Sequence, residues 1–188
     1  MFERLFQVQK NVKQLRTRLI NDSLSLLGHE DRPDKPRYKV YSHGLSEELQ
    51  RPKGEFINVE WLVDVHWYIE GKEPYQVARV PLVVECEWEQ KRKEERIDPN
   101  KGRDPYGAVK FDFQKLLVVN ADLRVMIFQI TGGKKHKKNA ELDGYFETAI
   151  NRYETLAEHA AFLFIAFDQK AKAFHYAKKT KRQSGSGS

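Results

Sequence analysis

The sequence predicts an α/β protein with a mixed central sheet flanked by helices, and three observations carry that reading. Segments whose apolar residues alternate every second position interleave with segments whose apolar residues recur every third or fourth, in the order helix, strand, strand, helix, strand, helix, strand. Two late segments, Arg124–Thr131 (RVMIFQIT) and Ala161–Phe167 (AFLFIAF), are apolar almost throughout, as strands covered on both faces are. The 188 residues are 40% apolar and include 3 Trp, 8 Tyr and 11 Phe. That is enough for one sizeable core and argues against a disordered chain.

Each element follows from its spacing. Phe2, Leu5, Phe6, Val12, Leu15, Leu19 and Ile20 form an apolar stripe with Arg4, Lys10, Lys13 and Arg18 between them, an amphipathic helix that Gly28 is expected to end. Pro33–Pro36 reads as a loop and Leu45–Gln50 as a short helix stopped by Pro52 and Gly54. Glu55–Glu70 reads as one strand. Ile57, Val59, Trp61, Val63, Val65, Trp67 and Ile69 face the core, and Asp64 and His66 lie on the other face. In Gln76–Glu89, Leu82, Val84, Cys86 and Trp88 share one face while Glu85, Glu87 and Glu89 share the other. After a charged connector, Ala108–Ala121 reads as a helix with Val109, Phe113 and Leu116 on its stripe. A second stripe runs from Leu142 through Phe146 and Ile150 to Ala160, and Ala173–Ala177 closes the series as an edge strand. Residues 1–183 make a single domain with a basic C-terminal tail, and Ser184–Ser188 (SGSGS) is a flexible linker by composition.

A lone cysteine, Cys86, excludes an intramolecular disulfide framework and a thiolate zinc cluster, and it fits a reducing cytoplasm. No run approaches the roughly 18 apolar residues of a membrane span, and MFERLFQVQKNVKQLRTRLI lacks the apolar core of a signal peptide. The expectation is a cytoplasmic protein without a membrane partner, compatible with a homo-oligomer or a larger complex. Net charge is +6. Residues 132–188 carry 11 basic and 6 acidic residues, hence +5 of it. This asymmetry points to a polyanionic partner. Lys134, Lys135, Lys137 and Lys138 in TGGKKHKKN, with Lys178, Lys179, Lys181 and Arg182, are the candidate contacts to a nucleic-acid backbone, the alternative being a solvated surface. The GxxxxGK[ST] spacing of a nucleotide-binding loop is absent from TGGKKHKKN.

The residues suited to chemistry are Asp64, Glu85 and Glu87, with Lys115 on the following helix. Glu85 and Glu87 project from one strand face, and if the two strands are neighbours Asp64 approaches them. Three converging carboxylates repel one another unless a hard divalent cation such as Mg²⁺ or Mn²⁺ compensates. A solvated acidic sheet face is the alternative.

The order of elements over Glu55–Gln129 resembles that of the PD-(D/E)xK nuclease superfamily. Asp64 of EWLVDV matches its first acidic position and Glu85 of VVECEW the acid of its second motif. Glu87 stands where the family usually has lysine. The resemblance implies a restriction-endonuclease-like fold and metal-dependent hydrolysis of nucleic-acid phosphodiesters, with DNA favoured over RNA. It implies Asp64 and Glu85 as ligands of Mg²⁺ or Mn²⁺, Glu87 completing the shell, and the Cys86 backbone carbonyl as a further ligand. Lys115 of KFDFQKLL would supply the missing positive charge from the helix, with Gln114 a weaker candidate, and Glu60, His66 and Asp112 would stand around the site. Two other readings remain open: a non-catalytic nucleic-acid-binding or assembly subunit of the same fold, and an unrelated carboxylate–histidine metal enzyme using His66.

Overall fold

The computed structural model describes residues 12–29, 38–42, 56–57, 62–73, 76–88, 104–130 and 137–182. They form an α/β protein with strands of mixed direction, and no helix among them is long and apolar enough to cross a membrane. The chain divides into two compact units, Met1–Val84 and Glu85–Ser188. The expected Leu45–Gln50 helix, Glu60, Lys134 and Lys135 lie outside the described residues.

In the first unit, helix α1 (Val12–His29) accompanies strands β1 (Lys39–Ser42), β2 (Phe56–Ile57) and β3 (Val65–Glu70) and most of β4 (Val77–Glu87), in the sheet order β2-β1-β3-β4. β2 runs parallel to β1, whereas β1 and β3, and β3 and β4, are antiparallel, with Tyr41 opposite His66 and Val65 opposite Val84. The segment Glu55–Glu70 is therefore two strands on opposite sides of β1, not one. An alternation that continues in phase through a break cannot reveal it. Nor is one face of β3 solvated: His66 and Tyr68 are as buried as Val65.

Gly28 stands one residue before His29, where α1 ends. Its role is close approach, because a Cβ at this position would meet Trp67 Nε1 at 2.7 Å and Val40 Cγ2 at 2.8 Å. The Trp67 indole also donates to the Leu24 carbonyl at 3.1 Å and stacks on Tyr38, tying α1 to the sheet.

The second unit contains helix α2 (Gly107–Val118), β5 (Leu123–Ile130), helix α3 (Lys137–Arg152), β6 (Ala161–Asp168) and β7 (Ala173–Thr180). β5 and β6 are parallel in continuous register from Leu123–Ala161 to Ile130–Asp168, and α3 makes the long connection that a parallel pair requires. β7 returns antiparallel along β6. Residues 178–180, read from sequence as a tail, thus belong to a strand.

Facing aromatic residues hold the helices to this sheet. Phe113 of α2 lies 4.7 Å from Phe146 of α3 and 5.7 Å from Phe164 of β6, and Phe146 stacks on Phe164 at 4.4 Å. The stripe expected to reach Ala160 as helix stops at Arg152, and Leu156 and Ala160 are buried from the turns that follow.

Charged residues are buried in this unit as well. Arg124, second in β5, is 2% exposed and inserts its guanidinium beneath the C-terminal end of α2. Nε donates to the carbonyls of Leu116 (3.0 Å) and Val119 (3.1 Å), Nη1 to Ala121 (2.8 Å) and Nη2 to Val119 (2.8 Å), while the group lies 5.2 Å from the centre of the Phe162 ring. The last carbonyls of a helix lack intrahelical donors and carry its negative end, so a fork of charged N–H groups suits them.

Two stability outcomes follow. Gly28→Ala should lower the unfolding free energy in urea by about 1–2 kcal/mol, because forced displacement of Trp67 and Val40 outweighs the better helix propensity of alanine. Arg124→Met fills a similar volume but leaves three carbonyls without their donor. It should cost about 3 kcal/mol, measured by the same titration.

Candidate active site

The last three residues of β4, Glu85, Cys86 and Glu87, begin the second unit, and α2 supplies the side chain that meets Glu85. The apolar stripe of α2 buries Val109, Phe113 and Leu116, which turns the neighbouring face, with Asp112 and Lys115 one turn apart, toward the strand. Lys115 Nζ lies 3.3 Å from Glu85 Oε1 and 2.9 Å from Asp112 Oδ1. The Glu85 side chain is 2% exposed, Asp112 15% and Lys115 25%. The acidic face of β4 is thus not a solvated one at Glu85.

Electrostatics fix the state of the lysine. Burial alone favours its neutral form, but the Glu85 charge and the Asp112 hydrogen bond outweigh burial and raise the Lys115 pKa well above its ordinary value. Lys115 is accordingly an ammonium at neutral pH, a donor of charge and hydrogen bonds and not a proton acceptor. Two carboxylates against one ammonium leave a formal charge of −1, before Glu87, half-buried at the end of β4, is counted.

Other expected site residues fall elsewhere. Gln114 is exposed, and as the immediate neighbour of Lys115 it leaves the helix roughly 100° away. Cys86 is buried and in no disulfide. Asp64 is half-buried in the bend just before β3, in the first unit. His66, also in the first unit, packs face to face on Tyr41 at 4.8 Å, with Tyr68 tilted against it at 6.1 Å. Desolvation by these surroundings holds the imidazole neutral, with its pKa lowered to about 4.

Among the described residues no three His, Cys, Asp or Glu side chains are grouped to hold a metal ion. A cavity of about 280 Å³ lies between α3 and the sheet of the second unit, lined by Phe128, Phe146, Phe164 and His175, and none of Glu85, Glu87, Asp112 or Lys115 reaches it.

The basic residues divide sharply. Lys181 Nζ donates to the carbonyls of Tyr153 (2.8 Å), Glu154 (3.2 Å) and Leu156 (2.7 Å), Lys179 pairs with Asp143 at 2.9 Å, and Arg182 with Glu147. These groups hold β7 and the residues after it to α3 and to the turns that follow it. Lys138 bridges Glu141 at 2.8 Å, and Lys137 and Lys178 are exposed.

No protein-family model, curated protein or solved structure matches the chain.

The buried imidazole gives this protein a pH signature. Its folded pKa lies below the unfolded value of 6.5, so the unfolded state binds the extra proton and stability falls as pH drops from 6.5 to about 4. Urea titrations across that interval should lose up to about 1.4 kcal/mol per pH unit from this group, and His66→Phe, which keeps the stack on Tyr41, should flatten the profile.

Proposed function

We propose that the protein is a divalent-metal-dependent nuclease that hydrolyses nucleic-acid phosphodiester bonds, within a restriction-endonuclease-like fold. The observation that carries this reading is the buried Glu85 carboxylate held against the Lys115 ammonium, with the lysine supplied by α2 and not by position 87. The preference for DNA over RNA rests on the sequence resemblance alone.

The donor set suits a hard cation. Mg²⁺ commonly engages only one or two carboxylates and fills its remaining positions with water and substrate phosphate, so a group of three protein side chains is not required. Glu85 and Glu87, two apart on one strand, would hold the ion, with the Cys86 carbonyl between them as a further oxygen. Bound Mg²⁺ or Mn²⁺ supplies Lewis-acid polarisation of the scissile phosphate. Lys115 places a fixed positive charge beside the phosphoryl oxygens, where negative charge grows in the transition state. Asp112 holds that ammonium in place from one turn earlier on α2.

A second reading, a non-catalytic nucleic-acid-binding subunit, is favoured by Glu87 occupying the usual lysine position. Incubating plasmid, single-stranded DNA and RNA with Mg²⁺ or Mn²⁺, with and without chelator, separates the two. Nuclease action predicts chelator-sensitive cleavage. Glu85→Gln, which preserves volume, should abolish it, and Lys115→Ala should slow it about 10²- to 10³-fold with little change in binding. Thermal melts accompany both variants, since Lys115→Ala leaves Glu85 buried without its cation. The role that the resemblance gives Asp64 is tested in the same assay by Asp64→Asn. Metal-independent binding without cleavage would establish the second reading.

A further inference from the structure

The sheet of the second unit has two unlike faces. One, carrying Phe164 and Ala166 of β6, is covered by α3 through Phe146. The other carries Leu163 and Ile165 of β6, both half-buried, beside Phe174, Tyr176 and Lys178 of β7, the last strand in the order β5-β6-β7. Tyr176 is 66% exposed. Its ring lies 6.4 Å from that of Phe174, which packs 5.2 Å from buried Phe167, so an aromatic row anchored in the core ends in an open ring.

Charge on this hairpin is sorted in the same way. Lys179, Lys181 and Arg182 are engaged with α3 and the turns behind it. Lys170 and Lys172, in the turn between β6 and β7, and Lys178, on the face of Tyr176, are exposed and make no ion pair among the described residues. Asp168 fixes the turn by accepting from the backbone N–H groups of Lys170 (2.9 Å) and Ala171 (3.0 Å). Among the described residues, the hairpin thus carries an open aromatic ring together with three exposed lysines that make no ion pair.

We infer that this hairpin face binds single-stranded nucleic acid, with a base stacked on Tyr176 and phosphates held by Lys178, Lys170 and Lys172. An aromatic ring set in a cationic strip is the chemistry that recognises unpaired bases without regard to sequence. A duplex offers phosphates to the lysines but keeps its base faces stacked inside. A second copy of this chain would oppose lysines with lysines. The ligand class rests on the nucleic-acid reading proposed above, whereas the test does not depend on cleavage.

Binding is measured by fluorescence anisotropy of a short labelled oligodeoxythymidylate in chelator, where no metal-dependent cleavage occurs. Tyr176→Ala should weaken it about tenfold, while Tyr176→Phe should keep wild-type affinity and affinity for a duplex should be unmoved by either. The triple variant Lys170→Gln, Lys172→Gln, Lys178→Gln should flatten the dependence of log K on log salt by about 2, three phosphates at about 0.7 each. Circular dichroism should show every variant folded, since each altered residue is exposed. Unchanged single-strand affinity in Tyr176→Ala would overturn the inference. So would a dimer, seen by sedimentation, that Tyr176→Ala dissolves while no oligonucleotide binds. Tyr176-dependent binding without cleavage in Mg²⁺ would leave this inference standing and defeat the nuclease reading, whereas cleavage with binding indifferent to Tyr176 would do the reverse.

Discussion

The second unit depends on a guanidinium in its core. Arg124 connects the start of β5 to the end of α2 through four hydrogen bonds to three carbonyls. Taking a guanidinium out of water is strongly unfavourable, and it is offset here because the acceptors are carbonyls at and just beyond a helix terminus, where intrahelical donors are lacking. Each partner thus removes the other's desolvation penalty. The Phe162 ring beneath the group adds a cation–π contact.

That constraint reaches the candidate site through a single residue step. Leu116, whose carbonyl Arg124 holds, follows Lys115, so the turn that aims the lysine is fixed to β5 and the buried face of the helix is fixed by Phe113. A long, flexible side chain then has a short path to Glu85, and Asp112 restricts what freedom remains. Preorganisation of this kind matters more for electrostatic stabilisation than the number of charges, because a charge already in place need not reorganise as the reaction proceeds.

The elements with one dominant apolar stripe were legible. β4, α2, β6 and the start of β7 all lie within a few residues of their expected spans, because each buries the stripe that defines it, whereas α3 ends well before the stripe does. Glu85, Asp112 and Lys115 were legible as candidates, and their meeting required the register of α2 on the sheet. What the sequence hid has physical causes. β2 and β3 share an alternation phase, so their separation left no trace in it. Lys181 read as a nucleic-acid contact or a solvated charge, since nothing local shows that its acceptors are backbone carbonyls on the far side of the β6–β7 hairpin. At Gly28 the sequence showed a helix end but not the close approach of Trp67, which belongs to tertiary packing.

Net charge along a chain therefore says less about a binding surface than which charges remain uncompensated after folding. Most of the formal excess lies beyond residue 131, yet part of it is turned inward to fasten β7 against α3. Under the proposed nuclease reading, the same sorting would account for the acid at position 87. Once a lysine from α2 answers Glu85, a second lysine on the strand would add positive charge beside an ammonium already held there, and repulsion between the two would weaken its hold on Glu85. An acid at position 87 instead leaves the strand end with a negative surplus, which is the electrostatic condition for retaining a divalent cation. In the proposed nuclease, supplying the positive charge from the helix and the negative charge from the strand would keep the two functions on separate elements, so that the fold could fix each without compromising the other.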